Sequence, residues 1–174
     1  MADGDSIDDG RQAILAALEH HQVRYVVIGG AAAQARGWPE PTDDIDVTPE
    51  RSEGNLARLA AAVEELDAGF RVDPARYPEG FRPPDGIDAR TFRNQVSITF
   101  TTCHGDFDVV LMPDGTSGYE EIIATATPET VPGTGIVVPV ASAETILHSK
   151  AAAGRPKDRA VIESMRVALG LDDQ

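Results

Sequence analysis

The segment Thr42-Asp43-Asp44-Ile45-Asp46-Val47 constrains the fold more than any other stretch of this chain. Side chains two apart on a strand share a face, so Asp44 and Asp46 aim both carboxylates at one spot while Ile45 and Val47 enter a core. Such a strand needs a sheet with a packed face behind it and an open edge in front. Like charges held that close repel in a partly buried site, and a divalent cation with hard oxygen ligands is the usual relief. Taken alone, an Asp-x-Asp triplet reads as a strand end with solvated acids. Its surroundings here point elsewhere.

Upstream, Tyr25-Val26-Val27-Ile28 reads as a buried strand ending at Gly29-Gly30. Glycines allow a sharp turn and close approach of a ligand, and Ala31-Ala32-Ala33-Gln34-Ala35 then starts a helix whose free amides face the same place, which makes a phosphate cradle. Arg36 lies one turn into that helix, where it reaches phosphate or pairs with an acid. Trp38 packs beneath the Gly37 turn or stacks on a base. Downstream, Val96–Phe100 and Phe107–Leu111 form a hairpin across Cys103-His104-Gly105. The period of two puts Asp106 and Asp108 on one face. An acid embedded in Phe107-Asp108-Val109-Val110-Leu111 must be paired, coordinated or at an active edge, because unpaired burial is costly.

The remaining elements are helical or hairpin-like. A first helix is predicted from about Ile7 to His21, capped by Ser6, with Ile14, Leu15 and Leu18 on its apolar stripe. Ser52 caps a second, carrying Leu56, Leu59, Val63 and Leu66. Phe70 to Pro84 holds Pro74, Pro78, Pro83 and Pro84 and reads as an irregular loop. Tyr119 to Ala126 is a short helix, and Thr130 to Val140 a hairpin turning at Pro132-Gly133-Thr134-Gly135. Ser142 caps a helix carrying Ile146, Leu147 and Lys150 that ends at Gly154, and Pro156 opens the last. The economical architecture is α/β (α+β): a mixed sheet flanked by helices, with C-terminal helices. We expect one domain over 1–174, with its core over about 24–140 and a helical segment over about 142–170.

Composition narrows the function. No apolar run approaches ~18 residues and the acidic start lacks a signal peptide's basic residues, so a cytoplasmic protein without membrane contact is expected. The single Cys103 and the scattered histidines give neither a disulfide framework nor a zinc spacing. His20 and His21 are assigned to a helix C-terminus, where the dipole favours a cation, and His148 to a helix surface near Lys150. A net charge of -14 argues against a broad nucleic-acid-coating surface. The cations are nevertheless unevenly spread: none occurs from Asn94 through Ser149, and then Lys150, Arg155, Lys157 and Arg159 arrive together. Such a cluster can hold a polyphosphate.

Three convergent carboxylates, a phosphate cradle and a lone basic cluster suit metal-assisted nucleotidyl transfer. Gly29-Gly30, Thr42-x-Asp44-Ile45-Asp46-Val47, Asp106-Phe107-Asp108 and Ser149-Lys150 through Gly154-Arg155-Pro156-Lys157-Asp158 resemble the DNA polymerase β-like nucleotidyltransferase superfamily. More narrowly they look like its AbiEii and MenT-type toxin branch and uncharacterised bacterial relatives. The matching segments run from Tyr25 to Asp158. The resemblance implies that Asp44, Asp46 and Asp108 carry two Mg²⁺ ions, with Mn²⁺ as a substitute. It also implies that Gly29, Gly30, Lys150 and Asp158 bind the nucleotide, and that Lys150 neutralises the triphosphate during catalysis. The activity implied is transfer of NMP from an NTP to an RNA end such as that of tRNA, to a protein, or to a small-molecule hydroxyl. A cognate antitoxin or toxin is the implied protein partner. The chain departs from the family pattern in two ways: Gly30 stands where serine is frequent, and Pro41 and Asp43 flank Thr42 where a basic residue is common. The other reading of the same residues is a nucleotide-binding or interaction module that keeps the fold without turnover.

Overall fold

A computed structural model describes residues 3–72 and 85–171. Among them, seven strands join in one sheet in the order β3-β4-β5-β2-β1-β7-β6. The strands are β1 (Tyr25–Ile28), β2 (Ile45–Pro49), β3 (Gly69–Phe70), β4 (Ser97–Thr102), β5 (Gly105–Val110), β6 (Thr127–Thr130) and β7 (Val137–Val140). The helices are α1 (Asp3–His20), α2 (Gly29–Ala35), α3 (Glu53–Glu65), α4 (Ala89–Arg93), α5 (Tyr119–Ile123), α6 (Ala143–Ala153) and α7 (Pro156–Ala168). The sheet is mixed: β2 runs antiparallel to β1 and parallel to β5, and β1 runs parallel to β7. The expected α/β class with a helix-flanked mixed sheet is the one found.

The two sheet faces do different work because the central strands alternate. Val27, Ile45 and Val140 turn toward Leu15 of α1. Ile28, Asp46 and Asp108 turn the other way, toward Ile122 of α5 and Ile146 of α6. Phe107 and Val109 are buried, and Phe100 of β4 stands between Phe70 and Phe107 at ring separations of 5.3 and 6.2 Å. Buried Asn55 of α3 ties helix to sheet: it accepts from the Arg24 amide at 2.7 Å and donates to the Arg24 and Glu50 carbonyls at 2.8 Å. That clamp holds the outer ends of β1 and β2 and so fixes the register in which Asp46 arrives opposite Ile28.

Several boundaries differ from expectation for local reasons. Helix α1 begins at Asp3, so Ser6 lies within it rather than just before it. Helix α2 begins at Gly29 rather than Ala31, because Gly29 takes a positive φ of 65° that turns the chain straight off β1. Strand β2 starts at Ile45, leaving Asp44 in the segment just before it. The second hairpin opens at Thr127, and α5 ends at Ile123. Strand β3 and helix α4 are additions. The signal for α4 was present in Asp88, whose side chain accepts from the Arg90 and Thr91 amides while Thr91 answers the Asp88 amide. The expected loop from Phe70 to Pro84 lies outside the described residues over 73–84. The Ser52 and Ser142 caps, the Gly154 stop and Pro156 at the start of α7 stand where the sequence puts them.

Candidate active site

Parallel pairing of β2 with β5 brings distant acids together: Asp46 lies directly opposite Asp108. The charge of each carboxyl group bears on the other across this pairing. Asp44 joins them from the lead-in to β2. The three line a cleft of about 230 Å³ together with Gly29, Gly30, Lys150 and Asp158, so the seven residues singled out from sequence meet in one cavity. Helix α6 supplies Lys150 and the start of α7 supplies Asp158, after the turn that Gly154 permits with a φ of 59°.

The electrostatics are those of an over-charged pocket. Burial, then the charges of Asp108 and Asp44, push the Asp46 carboxyl up to about 7, against a single opposing hydrogen bond from the Gly30 amide. Burial also raises Asp44, with Asp108, Asp106 and Asp43 adding to the effect and Arg71 opposing it. Asp108 Oδ1 is buried with no hydrogen-bond partner among the described residues. A buried carboxylate oxygen without a donor is costly. Three acids and one orphaned oxygen offer the hard oxygen donors that a divalent metal takes, although their oxygens do not all lie within 4.8 Å of one another.

The two glycines leave no room for a side chain beside their neighbours. A Cβ on Gly29 would sit 2.1 Å from Asp46 Oδ2, and one on Gly30 would sit 2.6 Å from Thr42 Oγ1. Their first task is to let the chain pass the Asp46 carboxylate and give it an amide donor. Across the cleft, Lys150 Nζ lies 3.3 Å from Asp158 Oδ1, and Asp158 is buried. Arg155 lies 3.9 Å from both Asp158 and Asp114, and with Lys157 it lines the same cavity. Asp158 therefore holds Lys150 and Arg155 on one wall while the three acids occupy the other.

Other candidates are placed elsewhere. Arg36 points away from the cleft and pairs with Glu129 and Thr127 of β6 and with the Val140 and Ala141 carbonyls, pinning α2 to the sheet edge. Trp38 packs against the core. Asp106 pairs with Arg71 and accepts from Thr101. His148 meets the Gly115 carbonyl at 2.8 Å. Arg71 was invisible as a site neighbour in sequence, because it reaches Asp106 only through the β3–β4 pairing.

Sequence comparison with protein-family models finds no match, and comparison with curated proteins finds none. The architecture does have counterparts of the same mixed α/β fold among solved structures. A lincosamide antibiotic adenylyltransferase, LnuA, solved with lincomycin bound, superposes with a TM-score of 0.59 at 13% identity, over 92% of this chain and 96% of that one. The antibiotic-resistance factor ANT(2'')-Ia in solution gives 0.56 at 20% identity, over 92% of this chain and 81% of that one. The same factor in complex with adenylyl-2''-tobramycin gives 0.53 at 21% identity, over 90% and 84%. Among the described residues no helix is long and apolar enough to cross a membrane.

Proposed function

We propose that this protein is a divalent-metal-dependent nucleotidyltransferase that moves NMP from an NTP to an acceptor hydroxyl. The observation that carries the reading is the meeting of Asp46 and Asp108 across the β2–β5 ladder, with Asp108 Oδ1 buried and unpartnered, opposite a wall of Lys150 and Arg155. Asp44, Asp46 and Asp108 would hold Mg²⁺, or Mn²⁺ in its place. When bound, the metal supplies charge neutralisation on the triphosphate and acidifies the attacking hydroxyl.

The chain's own residues do the rest. Lys150, held by Asp158, and Arg155 place positive charge where the triphosphate must lie, as stabilisation of a developing pyrophosphate requires. In the transfer the acceptor oxygen bonds the α-phosphorus, the bond to pyrophosphate breaks, and the hydroxyl proton leaves. Asp108 would take that proton on the carboxylate oxygen that the metal leaves free. The Gly30 amide keeps Asp46 oriented toward the cleft.

For the acceptor we favour a small-molecule hydroxyl. A net charge of -14 and an acidic cluster at the cleft suit a neutral or cationic acceptor better than an RNA backbone. The solved counterparts carry lincomycin and adenylyl-2''-tobramycin. Transfer to tRNA within a toxin–antitoxin pair is the narrower alternative that the sequence resemblance raises. The test is incubation with each labelled NTP and Mg²⁺ in parallel with total RNA and with a panel of hydroxylated small molecules. Label on a small molecule, lost in Asp44→Ala and Asp46→Ala, is expected. Label only on RNA moves the acceptor to tRNA, and label that persists in both variants removes the mechanism. No label with NTP still bound identifies a non-catalytic nucleotide-binding module.

A further inference from the structure

Helices α1 and α3 end side by side, each in the same way. Gln22 and Asp67 take φ values of 53° and 47°, the two positive values among described non-glycine residues. Each is followed by a long return bond, from the Val23 amide to the Leu18 carbonyl and from the Ala68 amide to the Val63 carbonyl. The partial negative charge of two helix C-termini thus gathers in one place. Into it the chain sends further anions, Glu64 and Glu65 in the last turn of α3 and Asp67 just after. This is the end of a helix where acids are disfavoured and a cation is favourable.

Two histidines converge there. His20 Nδ1 lies 2.8 Å and His21 Nε2 lies 2.7 Å from the same Glu65 oxygen, Oε2. The rings are 4.9 Å apart and tilted by 53°, so their nitrogens approach from different directions. All three donor atoms fall within 4.8 Å of one another. Hydrogen bonds from His20 and then His21 also hold the Glu65 carboxyl below its ordinary range.

We propose that His20, His21 and Glu65 bind one divalent transition-metal ion, zinc by the chemistry of the donors, which clips the end of α1 to the end of α3. Two imidazole nitrogens and one carboxylate oxygen form a known zinc donor set with a fourth position left to water. Metal–ligand bonds of about 2.0–2.2 Å need the donors to open from their present spacing by roughly half an ångström. His20 and Glu65 are 71% and 43% exposed, so both side chains can make that adjustment. Imidazole selects against Mg²⁺ and Ca²⁺, which separates this site from the all-carboxylate cleft. The two also lie in different layers, since α1 packs on the sheet face that carries Val27 and Ile45, not Asp46.

The experiment is a zinc titration of the full chain, free of any affinity tag, against a competing chromogenic chelator with millimolar Mg²⁺ present to occupy the carboxylates. About one zinc per chain is expected, weakened at least about tenfold in Glu65→Gln and abolished in the His20→Gln/His21→Gln double variant. Asp46→Asn retains it. Zinc also raises the melting temperature of the wild type and of Asp46→Asn, but not of the double variant. Wild-type zinc binding in the double variant, loss of binding in Asp46→Asn instead, or no zinc bound by the wild type each overturns the proposal.

Discussion

Replacing Asp46 by Asn is expected to stabilise the metal-free protein while abolishing transfer. Burial and the charges of Asp108 and Asp44 hold the Asp46 carboxyl near 7 in the folded state, against 3.8 in the unfolded chain. The raised folded value fixes the sign. Between those two pH values the folded state keeps a proton the unfolded state has lost, so stability is greatest below the lower value and declines as pH rises through the upper. About three pH units at about 1.36 kcal/mol each set a ceiling of roughly 4 kcal/mol for the destabilisation at alkaline pH. Asn has nearly the same shape, can still accept from the Gly30 amide, and can donate to Asp108. Relaxation of Asp44 and Asp108 recovers part of the ceiling, which leaves about 2 kcal/mol, or roughly 4–8 °C in melting temperature for a chain of this size.

The assay is urea unfolding in EDTA at about pH 5 and about pH 8, followed by the fluorescence of Trp38, the sole tryptophan and one that packs on the core. The wild type loses stability between the two conditions, and Asp46→Asn loses markedly less. Millimolar Mg²⁺ at the higher pH reverses the order, stabilising the wild type through the same carboxylates. A difference between variant and wild type that is independent of pH, or a variant less stable than wild type at about pH 8, refutes the reasoning.

Gly29→Ala combines a positive φ with a Cβ 2.1 Å from Asp46 Oδ2; we expect at least about 1–2 kcal/mol of destabilisation in chemical melts and loss of Mg²⁺-dependent stabilisation as Asp46 is displaced. Lys150→Met leaves buried Asp158 with Arg155, at 3.9 Å, as its remaining cation among the described residues, and is expected to cost about 1–3 kcal/mol and to raise the NTP concentration for half-maximal thermal shift. Arg36→Ala removes the contacts to Glu129, Thr127 and the Val140 and Ala141 carbonyls, so it should lower melting temperature without changing the NTP dependence of the shift.

The elements legible in the sequence were those whose signal is local. Ser52 and Ser142 cap the helices they precede, and Gly154 ends α6 because the left-handed turn there favours glycine. Alternation marked β5, since Phe107 and Val109 are buried while Asp108 faces the cleft. What the sequence withheld is set by partners far along the chain. Arg36 reads equally as a phosphate ligand or a strut until β6 brings Glu129 to it, 93 residues away. His20 and His21 read as helix-end cations until α3 delivers Glu65, and only the packing of the two helices makes a three-donor cluster of them.

The same distinction bears on the cleft. That Asp44 and Asp46 belong together follows from their spacing, but that Asp108 joins them depends on β5 pairing parallel to β2 in one register. A slip of one residue would place Phe107 or Val109 opposite Asp46 and turn Asp108 to the other face of the sheet. The apolar neighbours of Asp108 forbid that slip, because it would expose Phe107 and Val109 and bury the carboxylate against α1. Hydrophobic burial on one face of β5 therefore holds an electrostatically unfavourable pair together on the other. That is the condition under which a protein can hold like-charged carboxylates side by side. It also ties the two properties by one cause: a substitution such as Val109→Ala, which weakens the burial, should lower both folding stability and Mg²⁺ affinity. Unchanged Mg²⁺ affinity in a destabilised Val109→Ala protein would show that the register is held by something other than the core face of β5.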